Sequence, residues 1–268
     1  MMAAPVHFSG LKTVLINLPR SVERREKMEQ RLAALGLPYE LLPAVDGRAD
    51  WERLLPSVDV KAFERHVGRD VLPGEVGCYH SHLQAWRRLV ASDAQVLLVL
   101  EDDVVFHDDF VDALRTALRG RAHWDMLKLA KIRAKQPVCQ GLLGPYRLNA
   151  YLGASTGFGA YLVQRETAQR LLPALLPIVA PIDRELEQVH RHDVRHFGLE
   201  PFPCHPQDEG QSTITGERFS AVKRYPLYRR WTKYAEQARN FLGRARYLAR
   251  CGRLRARVNS LPLMKEEP

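Results

Sequence analysis

A chain of 268 residues with 46% hydrophobic and 26% charged positions has the make-up of a folded globular protein, which excludes a disordered or fibrous one. That length holds one large α/β domain with a substantial core or two small ones, and one domain plus a tail is the preferred reading. No apolar run approaches 18 residues, the length of a membrane-spanning helix, and the opening MMAAPVHFSGLK lacks the apolar stretch of a secretory leader, so a cytoplasmic location is expected.

The first predicted element is a buried strand, Thr13 to Asn17, followed by a helix from Ser21 to Leu35 with Ser21 as N-cap and Gly36 as the stop. A short strand at Tyr39 to Pro43, an Asp46-Gly47 turn and a polar region of short helical pieces up to Leu72 come next. Pro73-Gly74 opens a helix over Glu75 to Ala91, which leads into five consecutive aliphatics, Val96 to Leu100. These read as a buried strand, and they end abruptly in Glu101, Asp102 and Asp103. Beyond them are predicted a helix near Asp109 to Leu118, a strand at Trp124 to Leu129, and a loop rich in Lys, Pro and Gly up to Pro145. Strands at Tyr146 to Leu152 and Phe158 to Val163 follow, then a helix from Arg165 to Leu175 ended by Pro173 and Pro177. A helix from Asp183 to His192, a strand at Val194 to Phe202 and a polar loop from Pro203 to Thr213 complete the body. This alternation predicts a three-layer α/β domain with a mixed central sheet over residues 1–217, and a basic tail over 218–268.

Four cysteines, Cys78, Cys139, Cys204 and Cys251, form no C-x-x-C pair, which argues against structural zinc and against a disulfide framework. The net charge is +9, yet Arg218 to Val258 alone carries +12, so the remainder is slightly acidic. Within that segment Trp231, Tyr234, Ala235, Ala238, Phe241, Leu242, Ala245, Leu248 and Ala249 recur at helical spacing, with Lys233, Arg239, Arg246 and Arg250 mostly off the stripe. A basic amphipathic helix of this kind can lie on an anionic membrane surface or pack on the domain. No nucleic-acid-binding motif accompanies the charge, and no nucleic-acid partner is expected.

Three adjacent carboxylates repel one another unless a cation or solvent relieves them, and oxygen ligands suit Mg²⁺ or Mn²⁺ shared with substrate phosphates. At the C-terminal end of a buried strand they stand where open α/β sheets bind ligands. The alternative is a solvated strand end. Glu75 and His82, seven residues apart, share one helix face, whereas His80 and His82 do not.

LINLPRSVERREKM, GEVGCYHSHLQAW, VLLVLEDDVVF, TGFGAYLVQRETAQRLL and the API-D of Ala180 to Asp183 occur in that order. Together, over about Lys12 to Ile214, they resemble glycosyltransferase family 25, which includes bacterial lipooligosaccharide galactosyltransferases. The resemblance implies a GT-A-like fold, a UDP-hexose donor, commonly UDP-galactose, an Mn²⁺ or Mg²⁺ cofactor, and a growing glycan or glycolipid as acceptor. It implies Asp103 and Glu101 as metal contacts, with Asp102 on the donor ribose or assisting, although the sequence does not fix which acid takes which role. Asn17, Leu18 and Arg24 then belong to the donor site, with Ser81 and His82 near it and the Thr156–Gly157 backbone close to the donor sugar. Asp183 becomes the base of an inverting transfer, or a helix N-cap, and His205 a late histidine for the metal. The basic loop with Lys131, Arg133 and Lys135 faces either phosphate or an acidic acceptor. Two other readings remain at this stage. One is a Mg²⁺-dependent nucleotidyl- or phosphotransferase, although no G-x-x-x-x-G-K-[ST] loop is present. The other is a basic binding module working through Arg218 to Val258.

Overall fold

The structure, a computed structural model, describes residues 6–207 and 224–265. Strand β1 (Leu11–Asn17) leads to helix α1 (Val22–Ala34) and strand β2 (Glu40–Pro43). Short helices α2 (Trp51–Leu54) and α3 (Val60–Val67) precede the long α4 (Pro73–Val90). Strand β3 (Val96–Glu101) carries the acids, followed by β4 (Val104–Phe106), α5 (Phe110–Arg119) and β5 (Met126–Lys128). Then come β6 (Pro137–Leu143), β7 (Tyr146–Tyr151), β8 (Ala160–Gln164) and α6 (Arg165–Leu171). Helices α7 (Ile182–Leu186) and α8 (Val189–His192), strands β9 (His196–Glu200) and β10 (Cys204–Pro206), and helix α9 (Trp231–Arg250) complete the order.

Eight strands form one mixed sheet in the order β2-β1-β3-β8-β5-β9-β7-β6. β1 runs parallel to β2 and β3, and β5 parallel to β9, while β8 is antiparallel to both β3 and β5. Because side chains alternate along a strand, each central strand feeds two cores. Val14, Leu97, Val99, Tyr161 and Val163 face α4, α6 and α7, whereas Leu15, Leu98, Leu100 and Leu162 face α1 and α5. This is the expected three-layer α/β domain with a mixed sheet and a basic C-terminal helix.

Three local expectations differ. The segment up to Pro145 is not all loop: Pro137–Leu143 is an edge strand, with proline at its first position and a register shift between Cys139 and Leu142 where Gly141 takes φ +147°. The helix expected over Asp183 to His192 is two short helices, α7 and α8, rather than one. Cys204–Pro206, assigned to the loop from Pro203 to Thr213, pairs antiparallel with β4, and the rest of that loop from 208 on lies outside the described residues.

Helix α9 packs on the domain through α3 and α8, and its Tyr247 and Leu248 enter the hydrophobic core near β7 and β9. Among the described residues no helix is long and apolar enough to cross a membrane.

Candidate active site

β1 and β3 are parallel neighbours, so the loops leaving their C-terminal ends lie side by side. Asn17 closes β1 and Glu101 closes β3, and the acidic triplet opens onto the first turns of α1.

The fold separates the three acids. Glu101 turns toward α4, where its Oε1 lies 3.1 Å from His82 Nε2. His82 is buried, and its Nδ1 lies 3.0 Å from the Tyr161 hydroxyl, which accepts from the Trp86 indole N–H at 2.9 Å. Since the carboxylate can only accept, His82 Nε2 carries the proton and Nδ1 accepts from Tyr161, which aims Glu101 through a continuous chain. Asp102 turns the other way: Asn17 Nδ2 donates to its Oδ2 at 2.7 Å, and Arg24 approaches its Oδ1 at 3.4 Å. Burial, opposed by the Asn17 bond, raises its pKa.

Asp103 is left between them. Its Oδ1 is buried and has no hydrogen-bond partner among the described residues. Burial, then the charges of Glu101 and Asp102, push its pKa up to about 7. An unsatisfied buried carboxylate oxygen is costly and calls for a cation. The cleft beside it is lined by Arg24, Lys27, Arg31, Asp102, Asp103 and Gln207. Gln207 N–H donates to the Asp103 carbonyl at 2.6 Å, and Arg31 holds both the Val104 carbonyl, at 2.8 Å, and Gln207 Oε1, at 2.7 Å.

One short stretch joins the triplet to the second acidic centre. The Gly159 carbonyl accepts from Glu101 N–H at 2.7 Å, and a side-chain carbon on Gly159 would stand 3.8 Å from Asp103 Oδ1. Two residues earlier, Gly157 N–H donates to Asp183 Oδ2 at 3.2 Å. Gly157 takes φ +96°, and a Cβ there would meet the Ile132 backbone nitrogen at 2.6 Å, so glycine is required by both conformation and space. The Thr156 carbonyl accepts from Ile132 and Arg133, and that of Ala154 from Lys135. The basic loop therefore lies along the 154–157 backbone, with Lys131, Arg133 and Lys135 exposed and Lys131 Nζ 5.1 Å from the Phe202 ring centroid.

Asp183 stands in the first turn of α7 but does not cap it from the N-cap position, which is Pro181; its Oδ1 accepts from Arg184 N–H at 2.8 Å. Behind it lies a buried charge cluster. Lys128 Nζ, at the end of β5, is fully buried and donates to the Ser155 carbonyl at 2.5 Å and to its hydroxyl at 3.2 Å. Burial pulls its pKa down to about 8 against the opposing pull of Glu187 and Asp183. Glu187, pushed up to about 6 chiefly by burial and by Asp183, accepts from Ser155 N–H at 2.7 Å and faces Arg244 of α9 at 3.8 Å.

The remaining expected residues sit as follows. Ser81 is buried and ties the loop after β2 to α4, accepting from Val45 N–H and donating to the Gly77 carbonyl. Leu18 is half-buried, its carbonyl accepting from Ser21 N–H in the turn before α1. His205, on β10 opposite Val105, is exposed and places its Nδ1 2.8 Å from His107 Nε2. Gln207, two residues on, is the side chain of this strand end that reaches the acidic cleft. Lys27 and Arg31 were legible as the i+3 and i+7 neighbours of Arg24 on one helix face. Lys128, a lysine inside the apolar MLKLA, was equally visible, and Gln207 stood out in the sequence only beside His205 in the loop after the last strand.

Two donor sets are available to a metal. Cys78, His82 and Glu101 bring a sulfur, a ring nitrogen and a carboxylate oxygen within 4.8 Å of one another. There both His82 nitrogens are engaged, and burial with four nearby carboxylates pushes the Cys78 thiol well above its ordinary pKa, so it stays protonated. Asp103, beside the charges of Glu101 and Asp102, offers oxygen ligands of the kind that suit a hard divalent ion.

The family model of glycosyltransferase family 25, described as LPS biosynthesis protein, matches residues 11–186. A glycosyltransferase 25 family member from Aedes aegypti is 32% identical over 63% of this chain and 29% of its own length. Procollagen galactosyltransferase 1-B from Xenopus laevis is 27% identical over 75% of this chain and 37% of its own. The chain thus spans about a third of the length of the curated relatives it matches. Mouse xyloside xylosyltransferase 1, a solved structure, is similar at a TM-score of 0.35 and 13% identity, covering 72% of this chain and 67% of that one.

Proposed function

Because the chain belongs to glycosyltransferase family 25, we propose that it moves a hexose from a UDP-sugar to a hydroxyl of a growing glycan. Galactose is the sugar favoured by the relatives named procollagen galactosyltransferases, and a lipooligosaccharide or lipopolysaccharide is the acceptor favoured by the family's description. The observation that carries the reading is Asp103 Oδ1, a buried carboxylate oxygen with no partner among the described residues, in a cleft rimmed by Arg24, Lys27 and Arg31.

Asp103 and Glu101 would hold Mn²⁺ or Mg²⁺, whose charge stabilises the diphosphate as it leaves. Asp102, fixed by Asn17 and Arg24, is placed for the ribose, and the basic face of α1 for the phosphates. The helix N-terminus adds a favourable dipole. The glycines at 157 and 159 let the sugar approach the backbone between the two acidic centres. An acceptor hydroxyl then attacks the anomeric carbon from the face opposite the diphosphate, Asp183 takes its proton, and the bond from sugar to phosphate breaks to release UDP. Gly157 N–H and Arg184 N–H hold both carboxylate oxygens of Asp183, so its orientation is set before substrate arrives. On this reading residues 1–217 are the catalytic body and 218–268 its basic tail, and the protein works in the cytoplasm, peripheral on the inner face of a membrane where such acceptors are assembled.

The test is calorimetry of the chain with UDP-galactose and other nucleotide sugars, with Mn²⁺ and in EDTA. Metal-dependent binding of a UDP-hexose is expected. Asp183→Asn should keep that binding while turnover falls roughly 10²- to 10⁴-fold, the range for a lost general base. Equal binding in EDTA would sink the metal assignment.

A further inference from the structure

Helix α9 is mounted opposite to the usual way. The face turned to the domain is polar: Glu236 is 5% exposed and accepts from Arg191 and Arg239, and Arg244 is 8% exposed and donates from Nε to the Leu152 carbonyl at 2.9 Å. Gly243 sits against the His190 ring, and Tyr247 and Leu248 complete that face. At 100° per residue Glu236, Gly243 and Tyr247 lie opposite Trp231, Ala238, Leu242 and Ala245, while Arg244 and Leu248 lie on the border next to Phe241. The apolar stripe therefore points outward, with Trp231 67% exposed and Leu242 50% exposed among the described residues. Just ahead of the helix, Leu227 and Tyr228 are exposed as well.

A stripe that leaves Trp231, Tyr234, Phe241 and Leu242 in solvent is unfavourable in water unless something apolar covers it. The charge says what. Glu236 is the one acid of α9 and it faces the domain, paired with Arg191 and Arg239, while Arg246 and Arg250 are exposed beside the stripe, Arg250 lying 3.9 Å from Asp193. A second copy of this chain would bring arginines against arginines, whereas anionic headgroups match them. Trp and Tyr at one end of the stripe with Phe and Leu further along is the pattern of a helix lying in the headgroup layer. We propose that the outward face of α9 is a docking surface for an anionic phospholipid bilayer, with Trp231, Tyr234, Phe241 and Leu242 inserted and Arg239, Arg246 and Arg250 on phosphates. This deepens the peripheral placement proposed above, but it stands on the orientation of α9 and not on the catalytic reading.

The experiment is co-flotation of the full chain with phosphatidylcholine vesicles and with equimolar phosphatidylcholine–phosphatidylglycerol vesicles. Binding to the anionic vesicles alone is expected, weakened about tenfold or more in Trp231→Ser/Phe241→Ser/Leu242→Ser and in Arg246→Gln/Arg250→Gln. Because all five side chains are solvent-facing, both variants should keep the wild-type melting curve. As a readout independent of those variants, brominated lipid should quench tryptophan fluorescence by an amount that Trp231→Phe removes. Equal binding to neutral and anionic vesicles, no quenching at Trp231, or a wild-type dimer that the triple variant converts to monomer would each overturn the proposal. A chain that ignores vesicles yet transfers hexose sinks this inference alone, and one that binds vesicles without any nucleotide-sugar affinity sinks only the transferase reading.

Discussion

Asp103→Asn should make the metal-free protein more stable and its site inert. The wild-type carboxyl is pushed to about 7 from an ordinary 3.8 by burial and by Glu101 and Asp102. A carboxyl whose folded pKa lies above its unfolded one loses stability as pH rises between the two values, here from 3.8 to about 7, and the loss is complete above that. The full displacement corresponds to about 4 kcal/mol at pH 8, and relaxation in a cleft open to water reduces it to about 2 kcal/mol. Asparagine keeps the shape without the charge, so the metal-free variant should melt about 4 to 8 °C higher at pH 8, with a gain smaller by more than roughly half at pH 5. Wild type should gain stability from Mn²⁺ with UDP, and the variant should not. Thermal melts at both pH values, with and without Mn²⁺ and UDP, read all four quantities. A variant that melts at or below wild type, or that keeps the Mn²⁺ response, would refute the idea that Asp103 is a carboxylate held in strain for a cation.

Gly157→Ala forces a Cβ against the Ile132 backbone at a positive φ and should cost about 2 kcal/mol in urea unfolding. Because Gly157 N–H also holds Asp183, kcat should fall more than KM rises. Lys128→Met leaves Glu187 and Asp183 without their buried cation and should cost about 3 kcal/mol, part of which Glu187→Gln in the same chain restores. His196 donates from Nδ1 to the Leu186 carbonyl and stays neutral down to about pH 3 because of burial and Lys128. Its folded pKa lies below its unfolded one, so it withdraws stability as pH falls below 6.5, at up to about 1.4 kcal/mol per pH unit, and His196→Asn should flatten acid unfolding there. Ending the chain before α9 uncovers the core around Tyr247 and Leu248 and strips Arg244 from Glu187. The truncated body should lose several kcal/mol, and an unchanged melting temperature would show α9 to be an appendage.

The central strands were readable because each is a short aliphatic run with an abrupt polar end, as in Val96 to Glu101, and burial on both faces leaves no other assignment. Strand β6 was hidden because an edge strand need satisfy only one neighbour, and its Pro137 and Gly141 look like loop residues. The acidic triplet announced itself, but the division of labour within it did not. That Glu101 answers to His82, Asp102 to Asn17 and the Asp103 side chain to no described residue follows from which strand ends lie side by side. The stripe on α9 was visible as a period, yet periodicity gives an apolar face without saying which way it points. Only the buried Glu236 and Arg244 orient it.

That orientation ties the tail to the catalytic centre in one physical path. Arg244 donates to the Leu152 carbonyl and faces Glu187, Glu187 accepts from Ser155, and Ser155 takes both bonds of Lys128, so the 152–157 backbone is held from the α9 side. The same backbone carries Gly157 to Asp183 and Gly159 to Glu101. The two acidic centres, on different strands and helices, are thus set at a fixed separation by a single glycine-containing segment whose anchors are buried charges rather than apolar contacts. Buried charges resist small displacements more steeply than apolar packing does, because each loses its partner over a fraction of an ångström. A segment that must hold a reacting sugar between a diphosphate site and a base has reason to be fastened in this way, and the outward stripe of α9 lies on the far side of the same fastening.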